Sequence, residues 1–311
     1  MTPAVRFGLT VPQHIGDAAL LRAVAQAAER NGFDSLWVVD HLYHYPTPDD
    51  VAVLEAFTVL GLLAGWTNSV RLGTLVLCNA YRPPALTAKI AASLDVLSGG
   101  RLELGYGAGW HAEEHAGYGY DFPPPATRIA MMEEGLEVIK RLWSGGPVSF
   151  AGKYYRLDNA RCEPKPLQQP RPPLTIGGGG EQLLLRAVAR HADVWNYFPV
   201  PLLEYERKLG VLTNHCRAIG RDPSSLRQSL VVPLATAAWE KEVRDQLERA
   251  APRGAMWRQG GFLVQGTPDI VVPRLRDYAR RGVSLFIVVL PDSTDVKQIE
   301  FVASAVVREF D

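Results

Sequence analysis

Asp40 and His41 form the residue pair in this sequence with the clearest capacity for chemistry. They directly follow residues 35–39 (SLWVV), an apolar run that predicts a buried strand, so both are expected where that strand ends. A histidine side chain can act near neutral pH as an acid, a base or a hydrogen-bond donor. The structural alternative is that Asp40 caps the turn and His41 binds a buried carbonyl group. His44 and Tyr45, further along the loop, either line the same pocket or are ordinary loop residues.

Asn79 and Arg82 form a second polar pair, after the predicted strand at residues 70–77. At a strand end, both side chains are suited to an anionic or hydrogen-bonding ligand. Arg82 is equally suited to capping the next helix or to pairing with a surface carboxylate, and the sequence does not choose between these roles.

Two glycine-rich segments follow further predicted strands. In residues 105–110 (GYGAGW), the missing Cβ atoms at Gly107 and Gly109 let a flat ring or a phosphate approach the backbone. Residues 177–180 are four glycines between a strand and a helix, where backbone N–H groups bind phosphate readily. The structural alternatives are a tight turn for the first segment and a merely flexible loop for the second.

Residues 111–115 (HAEEH) match H-x-x-E-H, the inverted zinc-peptidase motif. That chemistry needs both histidines on one helix face, a glutamate base and a third ligand from another helix. The glycines at 117 and 119 limit any helix here to a turn or two, so we predict no metal site. The interpretation that remains is a loop-helix that borders a ligand pocket, or a solvated polar face, formed by His111, Glu113, Glu114 and His115.

Short apolar strands that alternate with helices must position these residues, and this alternation indicates the α/β class. About eight strands with a helix after most of them predict a (β/α)8 barrel of the TIM type, as one domain over residues 1–311. A doubly wound open sheet is less consistent, because no GxGxxG follows the first strand. In a barrel, residues just past the strand C-termini line the active site. The predicted strands are residues 5–11, 35–39, 70–77, 102–107, 174–176, 193–195, 228–234, 262–264 and 285–290, and the second predicted helix is 51–63.

Two insertions interrupt the alternation. Residues 110–127 are rich in Gly, His, Pro and aromatic residues and are too long for an ordinary connection, which is typical of a functional lid or wall. Residues 148–157 (VSFAGKYYRL) predict a hairpin around a central glycine.

Composition excludes several classes of protein. The 33 basic and 33 acidic residues balance, which argues against a partner such as nucleic acid or an anionic membrane. No apolar stretch reaches the roughly 20 residues of a membrane span, and the N-terminus does not resemble a signal peptide, so we expect a cytoplasmic protein. The cysteines at 78, 162 and 216 are few and widely spaced, which predicts reduced thiols.

Taken together, six blocks of sequence resemble the luciferase-like monooxygenase superfamily, and within it the branch that uses the deazaflavin coenzyme F420. The likeness covers nearly all of residues 5–197 in order, and LDVLSGGRLELGYGAGW is its most specific part. The blocks are FGLTVPQ, GFDSLWVVDHLYHY, RLGTLVLCNAYRPPALTAKIAASLDVLSGGRLELGYGAGWHAEEHAGYG, RIAMMEEGLEVIKRLWSG, VSFAGKYYRL and TIGGGGEQLLLRAVARHADVWN.

The resemblance implies a flavin or deazaflavin ring at the C-terminal mouth of the barrel. Asp40 and His41 match the catalytic pair near the ring and the substrate. Leu75 and Val76 fall where this branch has a non-proline cis peptide and a bulge behind the ring. The cofactor-binding residues expected from the resemblance and the strand ends are Leu75, Val76, Asn79, Gly107, Gly109, Trp110, Gly177, Gly178, Gly179 and Gly180.

The activity that the resemblance implies is hydride transfer between F420 and an organic substrate, with His41 moving a proton. The alternative within enzymes is an FMN-dependent monooxygenase that uses O₂ and reduced FMN from a separate reductase. A barrel that only stores or delivers cofactor is an answer of a different class. The superfamily also commonly forms homodimers, so a second copy of the chain is an expected partner.

Two departures from the family bear on the substrate. The sugar-phosphate dehydrogenase of this branch has a glutamate where this chain has Trp110, and a lysine where this chain has residues 197–199 (YFP). Both losses argue against a phosphorylated sugar. A flat apolar or aromatic small molecule is expected instead, from the aromatic residues Tyr43, Tyr45, Trp110, Tyr118, Tyr120, Trp195 and Phe198. The structural alternative is that several of these residues only pack the long loop.

Overall fold

Eight parallel strands form the centre of the molecule, in a computed structural model that describes residues 4–43, 51–257 and 262–310. The strands are β1 (Arg6–Thr10), β2 (Ser35–Val38), β3 (Arg71–Thr74), β4 (Leu102–Gly107), β5 (Leu174–Gly177), β6 (Val194–Tyr197), β7 (Arg227–Ala235) and β8 (Val283–Val289). Each pairs with the next in order, and β8 pairs with β1, which closes the ring. The predicted α/β barrel of the TIM type is confirmed.

Helices follow each barrel strand along the chain. They are α1 (Ala18–Arg30), α2 (Ala56–Trp66), α3 (Pro84–Leu97), α4 (Ala112–Gly117), α5 (Pro125–Ser144), α6 (Leu184–His191), α7 (Leu202–Ala218), α8 (Glu240–Ala250), α9 (Pro268–Ala279) and α10 (Val296–Ala305). Two helices, α4 and α5, follow β4, and two, α8 and α9, follow β7. The antiparallel pair Val148–Ala151 and Arg156–Ala160 comes after α5 and confirms the predicted hairpin.

Side-chain caps decide where the first two helices begin. The Asp17 carboxylate accepts hydrogen bonds from two N–H groups of the first turn of α1, as its position before the apolar face suggests. In α2 the capping residue is Glu55, which binds the N–H groups of Phe57 and Thr58 at 3.1 and 2.7 Å. The start predicted at residue 51 is therefore wrong, because the apolar pattern begins before the cap.

Two predicted strands differ from the observed ones. The third strand stops at Thr74, and the chain pairs again with β4 only at Leu77–Cys78. The Leu75–Val76 peptide bond between them is cis, as the resemblance predicts. The strand expected at 262–264 is the two-residue strand Val264–Gln265, which pairs with the end of β7 and lies outside the eight-stranded ring.

Trp37 fills part of the barrel interior. Its side chain is fully buried, and its indole N–H donates to the Ser35 hydroxyl at 2.8 Å. Glycines on the strands to either side leave room for the ring: a Cβ atom at Gly8 would lie 2.5 Å from Trp37 Nε1, and one at Gly73 would overlap the six-membered ring. The close packing of a large ring against bare backbone explains why these positions carry glycine.

Replacing Gly73 by alanine is expected to lower the free energy of unfolding by about 2–3 kcal/mol, because the new methyl group overlaps a ring that cannot move freely. Gly61→Ala in α2 is the matched control: its Cβ atom would meet nothing, and removing a helix glycine is expected to add about 0.5–1 kcal/mol. Chemical denaturation measures both. Equal effects of the two substitutions would contradict the packing described for Trp37.

None of the helices within the described ranges has the length and apolar character needed to cross a membrane. Cys78, Cys162 and Cys216 are buried free thiols, as their number and spacing predict.

Candidate active site at the carboxyl end of the barrel

Asp40 lies just past the end of β2 and is buried. Both of its oxygens accept hydrogen bonds from the Arg82 guanidinium at 2.9 Å, and one also accepts the Cys78 N–H at 2.8 Å. Burial raises the pKa of Asp40 above its ordinary value, against the opposing effect of Arg82. Arg82 also binds Glu55 at 2.6 Å. The cluster therefore ties the loop after β2 to the start of α2 and to the segment after β3.

Glu114, on the short helix α4, is the residue to which the His41 loop is bound. Its side chain is 1% exposed and accepts hydrogen bonds from the N–H groups of Leu42 and Tyr43, at 2.6 and 3.1 Å, and from the Tyr81 hydroxyl at 2.8 Å. Burial raises the pKa of Glu114, but hydrogen bonding to His41, the positive charge of His41, and the bonds from Tyr43 and Tyr81 outweigh burial and lower the pKa to about 2. Glu114 is therefore a carboxylate at neutral pH.

His41 is fixed by this carboxylate. Its Nδ1 lies 3.1 Å from both oxygens of Glu114. Because a carboxylate only accepts, Nδ1 carries the proton that is donated to Glu114, and Nε2 is the ring nitrogen that does not bind this carboxylate. The rings of Trp110 and His111 contact the imidazole edge to face, at centroid distances of 5.6 and 6.0 Å. The imidazole is oriented on three sides and still 28% exposed.

The side chains of the HAEEH motif bind different partners and do not converge on one point. His111 Nδ1 accepts the Glu114 N–H at 3.3 Å, which begins α4. His115 Nδ1 donates to the His111 carbonyl at 2.8 Å, and its Nε2 faces Cys78 Sγ at 3.8 Å. Burial raises the pKa of Cys78 to about 12, so this group is a thiol. Among the described residues, no three His, Cys, Asp or Glu side chains are grouped so that they could hold a metal ion.

The burial of these side chains corrects one interpretation of the motif, that of a solvated polar face. Glu114 and His115 are buried, so they do not belong to a solvated polar face, whereas Glu113 is exposed. The match to H-x-x-E-H drew attention to this segment, but the sequence did not show that partners of Glu114 come from residues 41–43, which lie 71 to 73 positions earlier.

Val76 lies where two strands approach closely. A Cβ atom at Gly107 would lie 2.7 Å from Val76 Cγ2, and one at Gly177 would lie 3.7 Å from Val76 Cγ1. Leu75, on the other side of the cis bond, packs with Trp37 in the barrel interior. Gly109 has φ +76, and a Cβ atom there would lie 2.6 Å from Cys78 Sγ. The structure thus brings residues of β4 and its following loop close to Val76 and Cys78. The space that a Cβ atom would take at Gly107 and Gly109 is filled by side chains of this chain, so the predicted approach of a ligand through that space is not what these glycines provide.

Asn79 and Trp110 lie in contrasting environments. The Asn79 side chain is buried; its Oδ1 accepts the Tyr106 hydroxyl at 2.6 Å and its Nδ2 donates to Tyr155 at 2.8 Å. These bonds connect Asn79 to β4 and the hairpin turn. Trp110 is 58% exposed beside His41.

The glycine turn, residues 177–181 at the end of β5, has several of its carbonyl groups bound by side chains from other elements. Trp195 Nε1 donates to the Gly178 carbonyl and Lys208 Nζ to the Gly179 carbonyl, both at 2.8 Å. His215 Nε2 donates to the Glu181 carbonyl at 2.8 Å. These donors come from β6 and α7. The Gly180 carbonyl accepts the N–H of Leu185, in α6, at 2.9 Å.

Several aromatic residues form the surroundings of the mouth. Phe198, after β6, stacks on Phe262 at a centroid distance of 4.8 Å, and both are partly exposed. Tyr118 stacks on Tyr120 at 6.5 Å. Trp195, by contrast, is fully buried. His44 and Tyr45 lie outside the described residues.

Comparisons with known proteins agree with this architecture. A sequence model described as luciferase-like monooxygenase matches residues 4–261. A phthiodiolone/phenolphthiodiolone dimycocerosates ketoreductase of Mycobacterium kansasii is 31% identical over 271 residues, which are 78% of this chain and 72% of the relative.

Two solved structures share the fold over nearly the whole chain. An F420-dependent secondary alcohol dehydrogenase in complex with an F420-acetone adduct has a TM-score of 0.84 at 20% identity, and the match covers 97% of this chain and 98% of that one. A riboflavin lyase with modified FMN and riboflavin has a TM-score of 0.81 at 17% identity, with 98% and 91% covered. F420 and FMN are thus each named in a solved structure that shares this fold.

Proposed function

The chain belongs to the luciferase-like monooxygenase family, and from this premise we propose that it is an oxidoreductase that transfers hydride between coenzyme F420 and an apolar organic substrate. The observation that carries the proposal is the exposed imidazole of His41, held at the barrel mouth by the ionised Glu114. A buried carboxylate in contact with one imidazole nitrogen orients the ring and stabilises its protonated form.

The residues present fit a phosphate-bearing flavin or deazaflavin. The Gly178 and Gly179 carbonyls are bound from the side of β6 and α7, and C=O and N–H point in opposite directions across a trans peptide. The N–H groups of Gly179 and Gly180 therefore each point away from the side chain that binds the preceding carbonyl, as donors suited to a phosphate oxygen. Val76 packs against Gly107 of β4, where the missing Cβ atom leaves room for this side chain, and the resemblance places Val76 behind the ring.

F420, when bound, supplies the hydride chemistry at its C5 atom. The contribution of the protein is positioning, exclusion of water and one proton transfer. His41 Nε2 gives a proton to the substrate oxygen when a carbonyl is reduced, and takes it when an alcohol is oxidised. Glu114 holds Nδ1–H in both directions and stabilises the imidazolium. Asp40 and Arg82 hold the loop that carries His41, so Asp40 supports the reaction through the backbone.

The proposed substrate is a flat or extended apolar carbonyl compound, or the matching alcohol. The partly exposed rings of Trp110, Phe198 and Phe262 offer apolar contact area. The relative named a ketoreductase, and the fold neighbour named a secondary alcohol dehydrogenase, support the carbonyl and alcohol pair.

We expect saturable, tight binding of F420 and much weaker binding of FMN when the purified protein is titrated with each cofactor, oxidised and reduced, at fixed salt. Cofactor fluorescence or absorbance gives the Kd. Preferential binding of FMN would replace the proposal by an FMN-dependent monooxygenase that receives reduced FMN from a separate reductase. Binding of neither cofactor would overturn both functions.

A further inference from the structure

The glycine turn is bound through its carbonyl groups by side chains that belong to other elements. Trp195 lies on β6, and Lys208 and His215 lie on α7, yet their donors bind the carbonyls of Gly178, Gly179 and Glu181. A chain rich in glycine has many backbone conformations open to it, so these bonds select one of them.

The bonds also fix which way the amide groups face. The peptide bonds of this turn are trans, so a bound carbonyl directs the N–H of the next residue to the opposite side. Binding of the Gly179 carbonyl by Lys208 therefore directs the Gly180 N–H away from Lys208, and Trp195 in the same way directs the Gly179 N–H away from its indole.

Of the three residues that bind the turn, Lys208 is the one whose hydrogen bond can be tested separately from the effect of its positive charge. Its side chain is 13% exposed, and its Nζ lies 2.8 Å from both the Gly179 carbonyl and Glu181 Oε1. The neighbouring Arg207 also binds Glu181, at 2.6 Å, but its only hydrogen bonds among those described are to that carboxylate. Two adjacent cations thus share one carboxylate, and Lys208 also holds the turn.

We propose that Lys208 is a positioning residue that raises the affinity for the cofactor phosphate by holding the Gly179 carbonyl, without contacting the phosphate itself. This inference rests on the proposed function, because it takes the glycine turn as the phosphate site. Trp195 and His215 fix the carbonyls on either side and restrict the turn to the same conformation.

The test compares cofactors with and without the phosphate. Lys208→Met keeps the length of the side chain and removes the donor. It is expected to raise the Kd of F420 and of FMN about five- to tenfold, the effect of losing one hydrogen bond. The Kd values of riboflavin and of 8-hydroxy-5-deazariboflavin, which lack phosphate, are expected to change less than twofold.

Two further variants separate positioning from charge and from folding. Arg207→Met removes an equal charge next to the same carboxylate. It is expected to change the ratio of the Kd of a cofactor with phosphate to the Kd of its counterpart without phosphate less than twofold. Lys208→Arg keeps a donor and is expected to restore most of the affinity. An equal loss for ligands with and without phosphate, no loss at all, or the same loss in Arg207→Met would each overturn the proposal.

A second measurement keeps the inference separate from the choice of cofactor. If the wild-type protein binds neither F420 nor FMN, the proposed function fails, and inorganic phosphate becomes the probe. The amide resonances of Gly179 and Gly180 are expected to shift on phosphate addition in the wild type and to shift much less in Lys208→Met. Absence of the shift in the wild type, or an equal shift in the variant, would overturn the role of Lys208.

Discussion

Replacing Glu114 by glutamine is expected to lower the free energy of unfolding at pH 7 by about 3–4 kcal/mol. The pKa of this carboxyl is about 2 in the folded protein, against 4.5 for an ordinary glutamate, and each unit of difference corresponds to about 1.4 kcal/mol. The glutamine amide also turns an NH₂ group toward donors from Leu42, Tyr43, Tyr81 or His41, which leaves buried donors unpaired.

The sign of the pH dependence follows from the lowered pKa. The contribution of Glu114 is fully present above pH 4.5 and is lost as the pH falls toward 2, because the unfolded chain takes up the proton first. Denaturation curves measured between pH 3 and pH 7 are expected to show this loss in the wild type. The Glu114→Gln variant is expected to show a flatter profile over the same range.

Glu113→Gln is the matched control for this prediction. Glu113 is the preceding residue in the same short helix and is exposed, so the same chemical change is expected to alter the free energy of unfolding by less than about 0.5 kcal/mol. Equal effects at 113 and 114 would show that the helix, and not the buried carboxylate, determines the stability of this region.

The barrel could be predicted from the sequence because its signal is local. Each strand is a short apolar run, and each helix has an apolar face, so eight repeats of one pattern remain visible despite errors at single boundaries. The Asp17 cap is equally local, since donor and acceptor are two or three residues apart. The same reasoning misplaced the start of α2, because the Glu55 cap was not recognised.

The contacts that define the site are long-range, and sequence patterns do not show them. Asp40 and His41 were predicted from their position after a strand. The partners that orient them are Arg82 and Glu114, which lie 42 and 73 positions away. The sequence left two alternatives for Glu114, a helix that borders a pocket and a solvated polar face, because it does not distinguish Glu114 from its exposed neighbour Glu113. The burial of Glu114 can be recognised only when the position of the loop at residues 41–43, which donates to it, is known.

His41→Gln is expected to lower kcat by about 10²–10⁴-fold, the usual contribution of a general acid or base, and to leave the Kd of the cofactor unchanged. The physical reason is that glutamine can fill the space and donate to Glu114 but cannot exchange a proton. The measurement is the oxidation of reduced F420 with an apolar ketone that supports turnover, followed by cofactor absorbance. A matched control is His191→Gln in α6, where the imidazole binds Lys140 and Glu133.

The double variant His41→Gln with Glu114→Gln tests whether Glu114 affects turnover only through His41 or also independently of it. If Glu114 acts on the reaction by orienting the imidazole and stabilising its charge, its removal costs little once His41 is absent, and the double variant is expected to be nearly as active as His41→Gln alone. With His41 present, by contrast, Glu114→Gln alone is expected to lower kcat. Multiplicative losses would mean that Glu114 contributes to turnover by a separate route, and an unchanged kcat in His41→Gln would remove proton transfer from the proposed mechanism.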